Sequence, residues 1–110
     1  MTKITFYQDD SGNIRSFKCS GHSGYAEEGE DIVCAAISVL VINTINSIEQ
    51  LTDTKMSVNA DEDGAFIKAE FPEIPGKDAA LLLKSLIIGL QSIEDDEETT
   101  EFVDLIFEEV

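Results

Sequence analysis

The run Ile32-Val33-Cys34-Ala35-Ala36-Ile37-Ser38-Val39-Leu40-Val41-Ile42-Asn43-Thr44-Ile45-Asn46-Ser47-Ile48-Glu49-Gln50-Leu51 decides the fold. Its β-branched residues Val33, Ile37, Val39, Val41 and Ile42 would suit a buried strand. Length argues otherwise, because ordinary strands end within roughly three to ten residues. Ile37, Val41, Ile45, Ile48 and Leu51 also recur at helical spacing. The run therefore reads as a central, mostly buried helix. Asp31 precedes it as a plausible N-cap.

Upstream, Thr2 to Gln8 alternates, with Ile4 and Phe6 on one side and Thr5 and Tyr7 on the other. Asp9-Asp10-Ser11-Gly12-Asn13 is rich in turn formers and closes a hairpin onto a second strand, Ile14 to Ser20. Arg15, Phe17 and Cys19 fall on one face of that strand, in a pattern weak enough to hide a bulge. Gly21 to Glu30, with three glycines and three glutamates and no periodicity, reads as a loop.

Downstream, Met56-Ser57-Val58 and Ala65 to Phe71 are strand-like around the turn Asp61-Glu62-Asp63-Gly64. Lys77 to about Glu94 carries Leu82, Leu83, Leu86, Leu90 and Ile93 at helical intervals, with Gly89 a weak spot inside. The acidic run Asp95-Asp96-Glu97-Glu98 opposes the helix dipole, so the helix ends before it. Phe102 to Phe107 is the last strand. The order β-β-α-β-β-α-β describes an α+β domain, a mostly antiparallel sheet packed against two helices.

A chain of 110 residues supports one core, and an apolar fraction of 43 % is near the globular norm. The stretch Ile32 to Ile42, interrupted by Ser38, falls short of a bilayer span. Met1-Thr2-Lys3-Ile4 lacks the basic segment and apolar run of a secretion signal, so a cytoplasmic location without membrane contact is expected. Twenty-three acidic against seven basic side chains, a net charge of −16, argue against direct nucleic-acid binding. Such a surface favours solubility, and it also attracts a basic partner with a salt-sensitive on-rate. The two cysteines, Cys19 and Cys34, lack the close Cys/His spacing of a zinc site and are expected as reduced thiols.

Chemistry concentrates at the start of the central helix. With Asp31 as cap, Cys34 is the third helical residue, where unpaired N–H groups and the positive dipole end favour a thiolate. The same N–H groups would steady an oxyanion formed when sulfur attacks a carbonyl. Glu27, Glu28, Glu30 and Asp31 oppose the thiolate, so a cationic partner is needed. His22, the sole histidine, lies twelve residues upstream and can serve as imidazolium and proton donor. Asp31 is either a helix cap or an orienter of that imidazole. Ser38, one turn beyond Cys34, either bonds the local backbone or contacts the site. By residue type alone, Cys34 also fits a small core residue, as Cys19 does in the sheet.

Gly21-His22-Ser23-Gly24-Tyr25-Ala26, followed by Gly29-Glu30-Asp31-Ile32-Val33-Cys34-Ala35-Ala36-Ile37-Ser38, resembles the ribosomal-processing cysteine protease (Prp) family. The family pattern is G-H-[AS]-G, a short acidic loop, then D-[IV]-V-C-[AS]-A-[IV]-S. Element order, length and acidity are similar over essentially the whole chain. The resemblance implies a single cysteine protease domain over 1–110, with His22 and Cys34 as catalytic dyad. It places Asp31 and Ser38 on supporting positions, and Gly21, Gly24, Tyr25 and Gly29 on the loop between. It further implies a homodimer, no metal or organic cofactor, and cleavage after an aromatic residue. The implied substrate is the N-terminal extension of a large-subunit ribosomal protein. The rival expectations are an acidic, non-enzymatic assembly factor gripping a basic ribosomal protein, and a redox or metal-regulated thiol protein.

Overall fold

A computed structural model describes residues 2–21, 30–61 and 66–110, with Glu30 and Asp31 described in backbone only. The elements follow the expected order: β1 (Thr2–Gln8), β2 (Ile14–Ser20), α1 (Glu30–Leu51), β3 (Ser57–Ala60), β4 (Phe66–Glu70), α2 (Lys77–Asp95) and β5 (Val103–Glu109). A 3-10 turn, Thr100–Phe102, leads into β5. The strands form one sheet in the order β3-β4-β2-β1-β5. Every pairing is antiparallel except that of β1 with β5. That parallel contact follows from α2, which returns the chain so that β5 runs beside β1 in the same direction.

The first hairpin is held by its own turn. The Asp9 carboxylate accepts from the Ser11 and Asn13 backbone N–H groups at 3.0 and 2.9 Å, and Gly12 supplies a φ of 83°. Those bonds to Asn13 and Ser11 hold the Asp9 carboxyl below its ordinary range. Tyr7 pairs with Ser16 but Gln8 with Ile14, so Arg15 is the extra residue of a bulge in β2.

One face of the sheet is apolar. Ile4 and Phe6 of β1, Phe17 and Cys19 of β2, and Ile67 and Ala69 of β4 are all buried on it. The Phe6 and Phe17 rings lie 5.5 Å apart between centroids, at the middle of the core. The opposite face presents Lys3, Thr5, Tyr7, Lys18 and Lys68.

The two helices close the apolar face. α2 does so with Ala79, Leu83, Leu86 and Leu90. At Gly89 a β-carbon would stand 3.2 Å from Leu40 Cδ1, so the glycine that weakens the helix also admits its neighbour. α2 runs one residue into the acidic run and ends at Asp95, leaving Asp96, Glu97 and Glu98 to the loop, where Asp96 accepts the Glu98 N–H at 2.8 Å.

The long helix departs from expectation in three respects. It starts at Glu30, so Asp31 lies inside its first turn and is not the N-cap, and Cys34 is its fifth residue. It is also not mostly buried. Val33, Ile37, Val41, Ile45 and Ile48 face the core, whereas Ile32, Val39 and Ile42 are 76 %, 66 % and 46 % exposed. A two-layer domain offers a helix only one buried side, and this helix is apolar on both. Finally, the segment Ile32–Leu51 spans 20 residues at a mean hydropathy of 1.8, so it does reach bilayer length and composition. Its inward side is part of the same core as the sheet, as for a core helix.

Smaller shifts affect the strands. β3 runs Ser57–Ala60, starting beyond Met56, and β5 extends to Glu109. Both lie at element ends, where polar residues carry little periodic signal.

Candidate active site

Cys34 sits on α1, partly buried and not in a disulfide. The helix turns at this point because Val33 and Ile37 must both reach the sheet, and their spacing of four sets the phase that brings Cys34 beside them. Starting at Glu30, the helix bonds the Cys34 N–H back to its own first turn, so that group is no longer among the open donors. Those donors belong to the residues just before. Side chains on a helix lean toward its N-terminus, the direction in which those donors lie. The dipole argument thus survives the shifted start in a weaker form, because the effect falls off within the first turn. Ser38, one turn on, is half-buried.

The strand that leads toward the histidine is equally defined. β2 ends at Ser20, which pairs with Lys3 on one side and Phe66 on the other. Gly21 follows with a φ of 108°, a left-handed conformation that favours glycine, and turns the chain out of the sheet one residue before His22. His22, Gly24, Tyr25 and Gly29 lie outside the described residues, as does the side chain of Asp31.

Cys19 is the residue whose relation to the site the sequence did not disclose. Its burial was expected; its relation to Cys34 was not. Burial pushes the Cys19 thiol up to about 11, and negative charge on Cys34 pushes in the same direction. The available signal was parity: Cys19 shares the face of Phe17, and α1 had to cover that face.

A cavity of about 500 Å³ lies at the other end of α1. Its wall includes Thr52, Lys55, Glu73 and Gly76, and Lys55 is ion-paired with Glu73 at 3.2 Å on an exposed rim. Neither Cys34 nor Cys19 lines it.

A thiol at the head of the long helix of an α+β domain defines a candidate cysteine hydrolase, and comparison with known proteins specifies which. The cysteine protease Prp pattern matches residues 1–101. The ribosomal processing cysteine protease Prp of Bacillus subtilis is 32 % identical over 100 residues, covering 87 % of this chain and 89 % of its own. The essential ribosomal processing protease Prp of S. aureus, crystallised with a substrate peptide, superposes with a TM-score of 0.89 at 28 % identity, over 98 % of this chain and 100 % of its own. Its complex with a covalently linked product peptide gives 0.86 at 29 % identity, with the same coverage. This chain belongs to the Prp family of cysteine proteases.

Proposed function

We propose that this protein is a cytoplasmic cysteine endopeptidase that removes the N-terminal extension of a large-subunit ribosomal protein, cutting after an aromatic residue. The Cys34 thiolate attacks the scissile carbonyl carbon. The resulting oxyanion is met by N–H groups of the opening turn of α1. His22, as imidazolium, gives its proton to the leaving amine, and the C–N bond breaks to leave a thioester on Cys34. His22 then takes a proton from water, whose oxygen attacks the thioester and releases the thiolate. Asp31 and Ser38 support the dyad from the same helix. The chemistry requires no metal or organic cofactor.

The observation that carries this reading is the position of Cys34: a partly accessible thiol near the start of α1, on a frame shared with proteases that hold peptides. The charge of −16 suits a basic ribosomal substrate.

A homodimer completes the proposal. From Ile32 to Ile48 no charged residue occurs, and Ile32, Val39 and Ile42 are exposed on that stretch. Two copies of so acidic a chain repel one another except across a face without charge. This supports the outer side of α1 as the surface on which they would meet.

Mixing the protein with a ribosomal protein that carries its extension, then measuring intact masses, tests the function. One cut after an aromatic residue is expected. Salt-sensitive binding with the substrate mass unchanged would instead favour the non-enzymatic assembly factor.

A further inference from the structure

β5 stands at one edge of the sheet and pairs on one side only, with β1. Two hydrogen bonds fix which of its backbone groups face outward. Just past the strand, the Val110 N–H donates to the Gln8 carbonyl of β1 at 2.8 Å, so even-numbered residues turn their backbone polar groups inward. The Leu105 N–H instead donates to the Glu94 carboxylate of α2 at 2.8 Å, so odd-numbered residues turn theirs outward. Glu94 thereby closes the edge at Leu105. Beyond it, the outward N–H groups of Phe107 and Glu109 have no such cap among the described residues.

This open half of the strand is also its most acidic and most exposed part. Glu108 and Glu109 are exposed, and neither joins an ion pair among the described residues. Phe107 is 43 % exposed on the helix side, its ring stacked on Phe6 at 5.6 Å between centroids. The opposite edge, β3, carries no charged side chain from Ser57 to Ala60. An unpaired edge invites another strand, and its charges decide which strand is admitted. A second copy of this chain would set like carboxylates against Glu108 and Glu109. A strand bearing lysine or arginine would neutralise them.

We propose that the open edge of β5 at residues 107–109 docks a basic, extended segment of the substrate, which adds to the sheet as a further strand. Antiparallel addition satisfies the donor and the acceptor of both Phe107 and Glu109. Alternation then sorts the side chains of the docked segment. Cations on the open face of the sheet lie beside Glu108, and an apolar residue on the helix side packs against Phe107. The site is separate from the catalytic end. Phe107 and Glu109 pair with Phe6 and Gln8, whereas the chain leaves toward His22 beside Lys3, at the other end of β1. Lys3 to Gln8 covers about 17 Å of strand, so the docked segment lies at least about five extended residues from the cut. Docking rests on the proposed basic substrate, but binding is measurable without cleavage, so failure of the edge and failure of the protease assignment are distinguishable.

The probe is a short peptide alternating lysine with valine, free of aromatic residues, added to the intact chain at low salt. Its binding is followed by fluorescence anisotropy and by amide hydrogen exchange resolved residue by residue. At saturation, exchange at Phe107 and Glu109 is expected to slow by about tenfold or more, while Ile106 and Glu108, already turned toward β1, do not change. The same peptide N-methylated throughout keeps its charges but cannot donate to a ladder, and should bind at least about tenfold more weakly. Reversing both charges, Glu108→Lys with Glu109→Lys, should raise the dissociation constant by roughly tenfold or more. Glu109→Pro deletes one outward donor and no bond to β1, and should weaken binding through the backbone alone. In the cleavage assay the probe should raise the apparent KM for the ribosomal protein and leave kcat unchanged. Protection at Phe107 and Glu109 without cleavage of any ribosomal protein would sink the protease assignment and leave the basic-strand site standing. Equal binding of the methylated peptide, protection along β3 instead, an affinity indifferent to charge reversal, or absence of competition with a cleaved substrate would overturn the proposal. So would protection of Phe107 and Glu109 that grows with protein concentration alone, which would assign the edge to a second copy.

Discussion

Cys19 is buried on the helix-facing side of the sheet while Cys34 is only partly buried on α1: burial pushes the Cys19 thiol up to about 11, and charge on Cys34 acts in the same direction. The two cysteines thus have opposite characters in one small protein. One is accessible near the start of a helix, and the other is held protonated within the core.

Alkylation separates them. At pH 8 a thiol with a value of about 11 is only about one part in a thousand thiolate, and Cys19 is also shielded. Iodoacetamide in limiting amount below pH 8 should label Cys34 well before Cys19, as read by peptide mapping. Equal labelling of the folded protein would contradict the assignment.

The raised Cys19 value predicts a pH-dependent stability. The Cys19 value is raised on folding, so above its ordinary value of 9.0 the unfolded chain loses this proton while the native chain keeps it. The stability contributed by burying the neutral thiol is complete below pH 9 and declines as pH rises toward 11. The loss amounts to about 2–3 kcal/mol if the unfolded chain ionises normally. Urea melts should show a steeper alkaline decline for wild type than for Cys19→Ala; parallel declines would show that another group is responsible.

His22 is assigned both the thiolate-stabilising charge and the proton for the leaving amine. His22→Ala should lower turnover by at least about two orders of magnitude with the melting temperature unchanged. A loss below about threefold would mean that another group moves the proton.

The proposed homodimer is predicted to meet across the outer side of α1. Val39 is 66 % exposed, so Val39→Glu leaves the core intact while placing like charges against each other in a two-fold contact. Light scattering should show a dimer for wild type and a dissociation constant raised by roughly tenfold or more for the variant. An unchanged dimer would move the interface elsewhere.

Most of the fold was legible because it is written in periodicity. The alternation of Thr2 to Gln8 and the Leu82 to Ile93 spacing give both elements near their observed bounds. α1 was legible as a helix but not in its exposure. Ile32 and Val39 look like core residues by type, and only the two-layer architecture shows that no element covers them. Its start was misplaced because Asp31 is a good cap by type; the helix extends to Glu30 instead. The bulge at Arg15 was visible as a broken pattern. At the site, Cys34 and His22 stood out through the motif. The effect of Cys34 on Cys19 did not, since it acts between a strand and a helix whose packing the sequence does not spell out.

The most direct measurement is covalent trapping of the nucleophile. A peptide that ends in an aromatic residue bearing a chloromethyl ketone should attach once per chain, and digestion should place the adduct on Cys34. The Cys34→Ala variant should neither take the label nor cut the ribosomal extension, while keeping the wild-type circular dichroism. Label on Cys19 or elsewhere, or cleavage by the folded alanine variant at the wild-type rate, would contradict the account.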